Sequence, residues 1–368
     1  MNYRWTGPGI QFTTPDNVMR WAGTLSAGQQ NASDCVVEAV NGKDEFLVWA
    51  VCGAGKTEVL FSAIEAALHA GKRICLATPR TDVVLELSPR LKKAFPAIDV
   101  MTLYAGSADR HGFSPLTVAT THQLFRFIEA FDVIIVDEVD AFPYSIDDSL
   151  HYAVHKSKKV SAATIYLTAT PSKRMQRLYR SGKLKAVIIP ARYHRQPIPV
   201  PGMKWSGNWK KLFLQQKIPP AINGWVSERL KQNIPFLLFF PSIQVMEQAI
   251  PLFKRLSPKL SIVHSRHPDR KEKVMALRNG MIPGLLTTTI MERGVTIDRL
   301  EVAVIGAEHE VFSESALVQI AGRVGRSFAN PAGTITFFHF GKSKAMVEAV
   351  HHIQIMNKDA MKRGLLDE

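Results

Sequence analysis

The chain has 368 residues, 46% of them hydrophobic, and carries 46 Lys and Arg against 32 Asp and Glu. That length exceeds one ordinary core and predicts about two domains. No run of about 18 apolar residues occurs, and the opening MNYRWTGPGI lacks the apolar centre of a signal peptide, so a cytoplasmic chain without a membrane span is expected. Cys35, Cys52 and Cys75 are odd in number and scattered, which excludes a disulfide framework and a four-Cys zinc site. None of the 12 histidines has metal-ligand spacing.

The net charge of +14 is local: Ser149 to Ser227 hold 15 Lys or Arg and no Asp or Glu. Tyr152, Tyr179, Tyr193, Trp205, Trp209 and Trp225 punctuate that stretch. Cations interleaved with rings suit a polyanion whose bases can stack, while a plain solvated basic face, or contact with acidic lipid or protein, explains the charge as well. For Trp205 and Trp209, packing is the expected role over base stacking.

In chain order, EFLVWA (45–50), RICLAT (73–78), TVAT (117–120), DVIIVDE (132–138) and TIYLTA (164–169) read as buried strands. Helix-like stretches such as TEVLFSAIEAALHA (57–70) separate most of them, the alternation of a parallel sheet with crossover helices. PARYHRQPIPVPG (190–202) then interposes four prolines, which favour an extended connector. The alternation resumes with FLLFF (236–240), LSIVH (260–264), GLLTTT (284–289), VAVIGA (302–307) and TITFFHF (334–340). The expected architecture is α/β, with an N-terminal segment (1–20), a first lobe (21–189), a basic proline-rich linker (190–217) and a second lobe (218–368).

Three patterns carry chemistry. AVCGAGKT (50–57) lies between a strand and a helix. Gly53 and Gly55 permit a tight turn whose N–H groups face phosphate oxygens; Ala54 lies between them, Lys56 reaches the β and γ phosphates, and the Thr57 hydroxyl ligates Mg²⁺. In VIIVDEVDAF, an apolar strand runs into Asp137, expected to hold hydrated Mg²⁺, and Glu138, expected to act as general base toward water. Asp140 either contacts the other lobe or faces solvent. In QIAGRVGRS, Arg323 and Arg326 stand three apart among glycines with Gln319 on the same side, suited to bringing positive charge to a breaking phosphate bond.

These patterns, in this order, resemble the superfamily 2 helicases and translocases over nearly the whole chain. LSAGQ with Gln29 is similar to the adenine-contacting Q-type motif, AVCGAGKT to motif I, and TPR (78–80) to motif Ia. TTHQL (120–124) is similar to motif Ib, DEVD (137–140) to motif II and TAT (168–170) to motif III. FPS (240–242), TTTIMERGVT (287–296) and QIAGRVGR (319–326) are similar to motifs IV, V and VI. The spellings ERGVT and QIAGRVGR, with GAEHEVFSESALVQ between them, most resemble the ComFA family of bacterial competence ATPases, with the primosomal replication-restart helicase a near relative. ComFA proteins usually carry a four-cysteine zinc module ahead of the Q-type motif. About 20 residues without such cysteines stand there in this sequence, so either the chain is truncated or it is a zinc-free relative, and no zinc is expected in it.

The resemblance implies two RecA-like lobes with ATP and Mg²⁺ in the cleft between them, on Gln29, Gly53, Ala54, Gly55, Lys56 and Thr57. It implies single-stranded DNA held through its backbone by Thr78, Arg80, Thr121, His122, Ser242 and Thr288. Thr168 and Thr170 are implied to couple nucleotide state to the DNA path. A DNA-stimulated ATPase that pulls transforming DNA inward follows, with other competence or uptake-channel proteins as partners, oligomerisation open, and a place in the cytoplasm or at the inner face of the membrane. The alternatives are a duplex-unwinding DNA or RNA helicase of the replication-restart type, and a nucleic-acid-binding scaffold with weak turnover.

Overall fold

A computed structural model describes residues 12, 15, 17–109, 112–264, 267, 269–289 and 297–367. The chain divides into two compact units, Met1–Tyr193 and His194–Glu368.

The first unit runs α1 (Ala27–Gly42), β1 (Glu45–Ala50), α2 (Lys56–Val59), α3 (Phe61–His69), β2 (Ile74–Thr78), α4 (Thr81–Ala94), β3 (Val100–Leu103) and β4 (Leu116–Thr120). A 3-10 turn over Thr121–Arg126 leads to β5 (Phe131–Asp137), α5 (Asp148–Ser157), β6 (Lys158–Thr168), α6 (Lys173–Arg180) and β7 (Lys185–Ile189). Its sheet has the order β3-β4-β2-β5-β6-β1-β7, with every ladder parallel. Strands covered on both faces explain the unbroken apolar runs: Ile74–Thr78 and Leu116–Thr120 are buried at every position.

The second unit runs β8 (Gly202–Trp205), α7 (Trp209–Leu214), α8 (Pro220–Gln232), β9 (Phe236–Phe239), α9 (Ile243–Lys254), β10 (Ser261–Val263) and α10 (Arg270–Arg278). It continues with β11 (Gly284–Thr287), β12 (Glu301–Ile305), α11 (Glu314–Ala321), β13 (Ile335–His339) and α12 (Lys344–Lys362). The sheet order is β10-β11-β9-β12-β13-β8, again parallel throughout. Ser26, Ser242, Ser313 and Ser343 each accept a backbone N–H at the start of α1, α9, α11 and α12, which satisfies donors that a helix start leaves open.

The stretch expected to be a linker, 190–217, is structured. Residues up to Tyr193 belong to the first unit, and β8 and α7 are elements of the second. The prolines exclude helix but leave the remaining backbone donors free to bond: Tyr193 N–H donates to Gly53 O at 3.1 Å, and Ser206 N–H to His339 O at 2.8 Å.

The second unit is locked by a buried ion pair. The Arg229 guanidinium on α8 donates to Glu301 Oε2 on β12 at 2.7 Å and to Thr334 Oγ1 at 2.8 Å, and lies 4.2 Å over the Trp225 ring. The Thr334 hydroxyl donates to the same Glu301 oxygen at 2.6 Å. Trp225 and Trp209 pack in the core of this unit beside Phe236, Phe240 and Phe253. Trp209 is 1% exposed and donates from Nε1 to Glu308 Oε1 at 2.8 Å, whereas Trp205 is 65% exposed. Packing is therefore the observed role of Trp209 but not of Trp205.

Candidate nucleotide-hydrolysis site and nucleic-acid surface

Because all strands of the first sheet point the same way, β1, β6 and β5 release their chain ends side by side at one edge. Trp49 pairs with Thr168, and Asp137 with Leu167. The phosphate-loop sequence, TAT and DEVD thus emerge next to one another, at the carboxyl edge where open α/β sheets bind ligands.

The loop after β1 has the conformation its glycines permit. Gly53 and Gly55 take φ of +84° and +71°, in the left-handed region that other residues enter at a cost. A Cβ on Gly55 would stand 2.3 Å from Gln29 Nε2, so a larger residue there would push the Gln29 amide aside as well as strain the backbone. Ala54 N–H bonds Val51 O at 3.1 Å, and Val51 N–H bonds Ile189 O at 3.1 Å, tying the loop to the end of β7. α2 then starts at Lys56, with Thr57 buried in its first turn.

Gln29 has a local role that sequence alone did not reveal. Its Oε1 accepts from Ser26 N–H at 2.8 Å, completing a capping box at the start of α1. Its Nε2 donates to Ala54 O at 2.9 Å, in the middle of the phosphate loop. One amide thereby joins a helix cap to the loop, beyond the adenine contact that the resemblance implies. Two further neighbours were also missed. The stem of Arg192, a buried residue, lies 3.5 Å from the Cβ position of Gly53, and the next residue holds Gly53 O through its N–H. Only a long-range contact gives these residues meaning, and four prolines nearby masked them as connector.

The acidic turn is distorted. Glu138 sits at φ +60°, a left-handed conformation that costs a residue with a side chain about 1–2 kcal/mol. Its N–H bonds Asp137 Oδ1 at 2.8 Å, and its carbonyl accepts from Ala141 N–H at 2.8 Å. Backbone strain of this kind concentrates at functional sites. Asp140 faces inward rather than to solvent: it accepts from Thr168 Oγ1 at 2.6 Å and from Thr170 Oγ1 at 2.9 Å. Thr170 N–H donates to Thr168 Oγ1 at 2.9 Å, and Trp49 Nε1 holds Ala169 O at 3.1 Å. The two threonines expected to couple are bound directly to the acidic motif.

In the second unit, Gln319 on α11 and Arg323 just beyond it are buried, and Arg326 is half-buried. Arg326 Nε donates to Gly322 O at 2.7 Å, which orients its guanidinium at the helix end. His194 supports the same turn, donating from Nε2 to Gly325 O at 3.0 Å, and was not foreseen.

The expected DNA contacts are mixed. Thr78 ends β2 and Thr121 follows its partner strand β4, but both residues are fully buried, backbone included, so phosphates can reach neither without rearrangement. The Arg80 guanidinium is engaged by both carboxylate oxygens of Asp82, at 3.1 and 3.0 Å. His122 is exposed. Ser242 caps α9 with its hydroxyl, and Thr288 is half-buried just past β11. The remainder of TTTIMERGVT, from residue 290, lies outside the described residues.

Comparison with known proteins supplies the family. A model described as type III restriction enzyme, res subunit, matches residues 23–173, and one described as helicase conserved C-terminal domain matches 221–328. The competence protein ComFA of Bacillus subtilis is 51% identical over 344 residues, spanning 94% of this chain and 74% of that protein. The chain belongs to the ComFA family. The Streptococcus pneumoniae ComFA is 39% identical over 355 residues, 96% of this chain and 82% of that protein. A solved structure of Saccharomyces cerevisiae Dbp5 bound to RNA and ADP BeF3 matches with a TM-score of 0.62 at 11% identity, over 93% of this chain and 96% of that one, which establishes the fold alone.

The chain is therefore a superfamily 2, RecA-like protein of the competence family, and its helicase domains imply a nucleotide-dependent ATPase that uses ATP and Mg²⁺. The donor set fits Mg²⁺: a threonine hydroxyl and a carboxylate are the hard oxygen ligands that it prefers. Among the described residues no group of His, Cys, Asp and Glu could hold a further metal, and no helix is long and apolar enough to cross a membrane.

Proposed function

We propose that the chain is an ATP-driven translocase on single-stranded DNA that serves the uptake of transforming DNA. The observation that carries this reading is the hydrogen-bonded unit of Asp140, Thr168 and Thr170, which ties the acidic turn to the segment leaving β6. In the proposed mechanism, the loop N–H groups and Lys56 hold the phosphates, with Gln29 bracing the loop. Thr57 and Asp137 would hold Mg²⁺, which when bound neutralises phosphate charge. Glu138 orients and deprotonates the attacking water. Arg323 and Arg326 supply positive charge to the γ-phosphate as its bond breaks, with Gln319 beside them. A change at the acidic turn then reaches Thr168 and Thr170 through Asp140 and alters the grip on DNA. Phosphate contacts dominate that grip, with Arg80, His122, Ser242 and Thr288 lining it and the buried Thr78 and Thr121 joining it only on rearrangement, so it is independent of sequence and sensitive to salt.

Displacement of streptavidin from biotin-ended single-stranded DNA tests the proposal. The wild type is expected to displace it only with hydrolysable ATP. Asp140→Asn is expected to retain hydrolysis within about fivefold and lose most displacement, because a neutral amide holds the two hydroxyls more weakly than a carboxylate. ATP-dependent hydrolysis without any displacement by the wild type would exclude translocation.

A further inference from the structure

We propose that the outward face of α6 is a further binding surface for the phosphate backbone of single-stranded DNA, outside the helicase motifs; this rests on the DNA-translocase reading above. α6 reads KRMQRLYR. At about 100° per residue, Lys173, Arg174, Arg177 and Arg180 fall within roughly 120° of arc, and Met175, Leu178 and Tyr179 fall on the opposite side. All four cations are exposed and no residue of the helix is buried.

The apolar side is already in use. Met175 packs against the core cluster that contains Tyr144, Leu150 and Val154. Ser172 caps the helix by accepting Met175 N–H at 3.2 Å. A helix seated through its apolar face has little left to insert into a bilayer, which argues against a lipid surface. Tyr166 of β6 packs against the same cluster: burial pushes its phenol up to about 12, with Glu45 adding to the rise and Arg174 opposing it.

The three arginines meet no carboxylate among the described residues. Arg174, Arg177 and Arg180 form no ion pair among the described residues, and the surrounding Ser149–Ser227 stretch contains no Asp or Glu. Three unpaired arginines within two helical turns repel one another, so the face destabilises its own helix until an anion neutralises it. Three of the four are arginines, whose planar forks match phosphate oxygens pairwise. The helix also begins three residues after Thr170, which is bonded to Asp140. A phosphate contact on α6 would therefore be attached to the segment that carries the nucleotide state.

The test compares full-length wild type, Arg174→Ala/Arg177→Ala/Arg180→Ala and the corresponding triple Lys variant, using fluorescence anisotropy of a labelled oligodeoxythymidylate across a potassium chloride series. Each phosphate contact on a single strand adds about 0.7 to the salt slope, so the triple Ala variant is expected to lower that slope by roughly 2 and to raise Kd about tenfold or more. The triple Lys variant should keep most of the slope. Hydrolysis without DNA should match wild type in both, as should thermal melting. Unchanged Kd and slope in the Ala variant, with a wild type that binds, overturn this proposal alone. A wild type that does not bind the oligonucleotide overturns it together with the translocase reading. Loss of binding to phosphatidylglycerol vesicles with DNA affinity intact assigns the face to lipid and also overturns it.

Discussion

Replacing Glu138 with Gln is expected to cut ATP hydrolysis by about 10²- to 10⁴-fold while leaving nucleotide affinity within about threefold of wild type. The amide keeps the size and the left-handed backbone conformation tolerated at this position, where φ is +60°, so the turn is preserved. What disappears is the ability to take a proton from water. Asp137 has a different part: its Oδ1 accepts Glu138 N–H at 2.8 Å and so shapes the turn, besides the hold on Mg²⁺ proposed for it. Asp137→Asn should therefore weaken nucleotide binding in Mg²⁺, which Glu138→Gln should not. Phosphate release and binding of a fluorescent ATP analogue separate the two. Hydrolysis by Glu138→Gln within tenfold of wild type would remove Glu138 from the role of base.

The second large effect concerns stability. Arg229→Ala is expected to destabilise the second unit by about 3–5 kcal/mol, because Glu301 keeps its charge in a buried place with only the Thr334 hydroxyl left to it. The ring of Trp225 also loses the cation lying 4.2 Å away. For a unit of this size the melting transition should fall by roughly 6–20 °C. Replacing both charged partners, Arg229→Met with Glu301→Met, should recover most of the loss, since an apolar pair leaves no buried charge behind. Calorimetry of the full chain reads the effect as movement of one transition. A fall of less than about 1 kcal/mol in the single variant would mean that water reaches Glu301.

What the sequence made legible, and what it hid, divides along contact distance. EFLVWA, DVIIVDE and FLLFF stood out as strands because burial on both faces leaves a run with no polar alternation. AVCGAGKT was legible because two glycines, a lysine and a threonine act within a few residues of one another. The strand GMKW at 202–205 went unseen: it is an edge strand of four residues, mostly exposed, inside a proline-rich stretch. Asp140 could not be placed from sequence, since its partners lie 28 and 30 residues away. Gln29 could be matched to a motif, yet its bond to Ala54, 25 residues on, was invisible. Arg80 was expected to face phosphates, and its pairing with Asp82, two residues later, was not foreseen. Acid-free composition over Ser149–Ser227 marked the basic surface, but periodicity within α6 was needed to give it a face.

The measurement that tests the account most directly is steady-state ATP hydrolysis with and without single-stranded DNA, for wild type and Lys56→Ala side by side. Severalfold stimulation of wild type by single-stranded DNA, with Lys56→Ala at background under both conditions, is the predicted result. Hydrolysis that depends on Lys56 but ignores single-stranded DNA would contradict the coupling through Asp140, Thr168 and Thr170 on which the account rests.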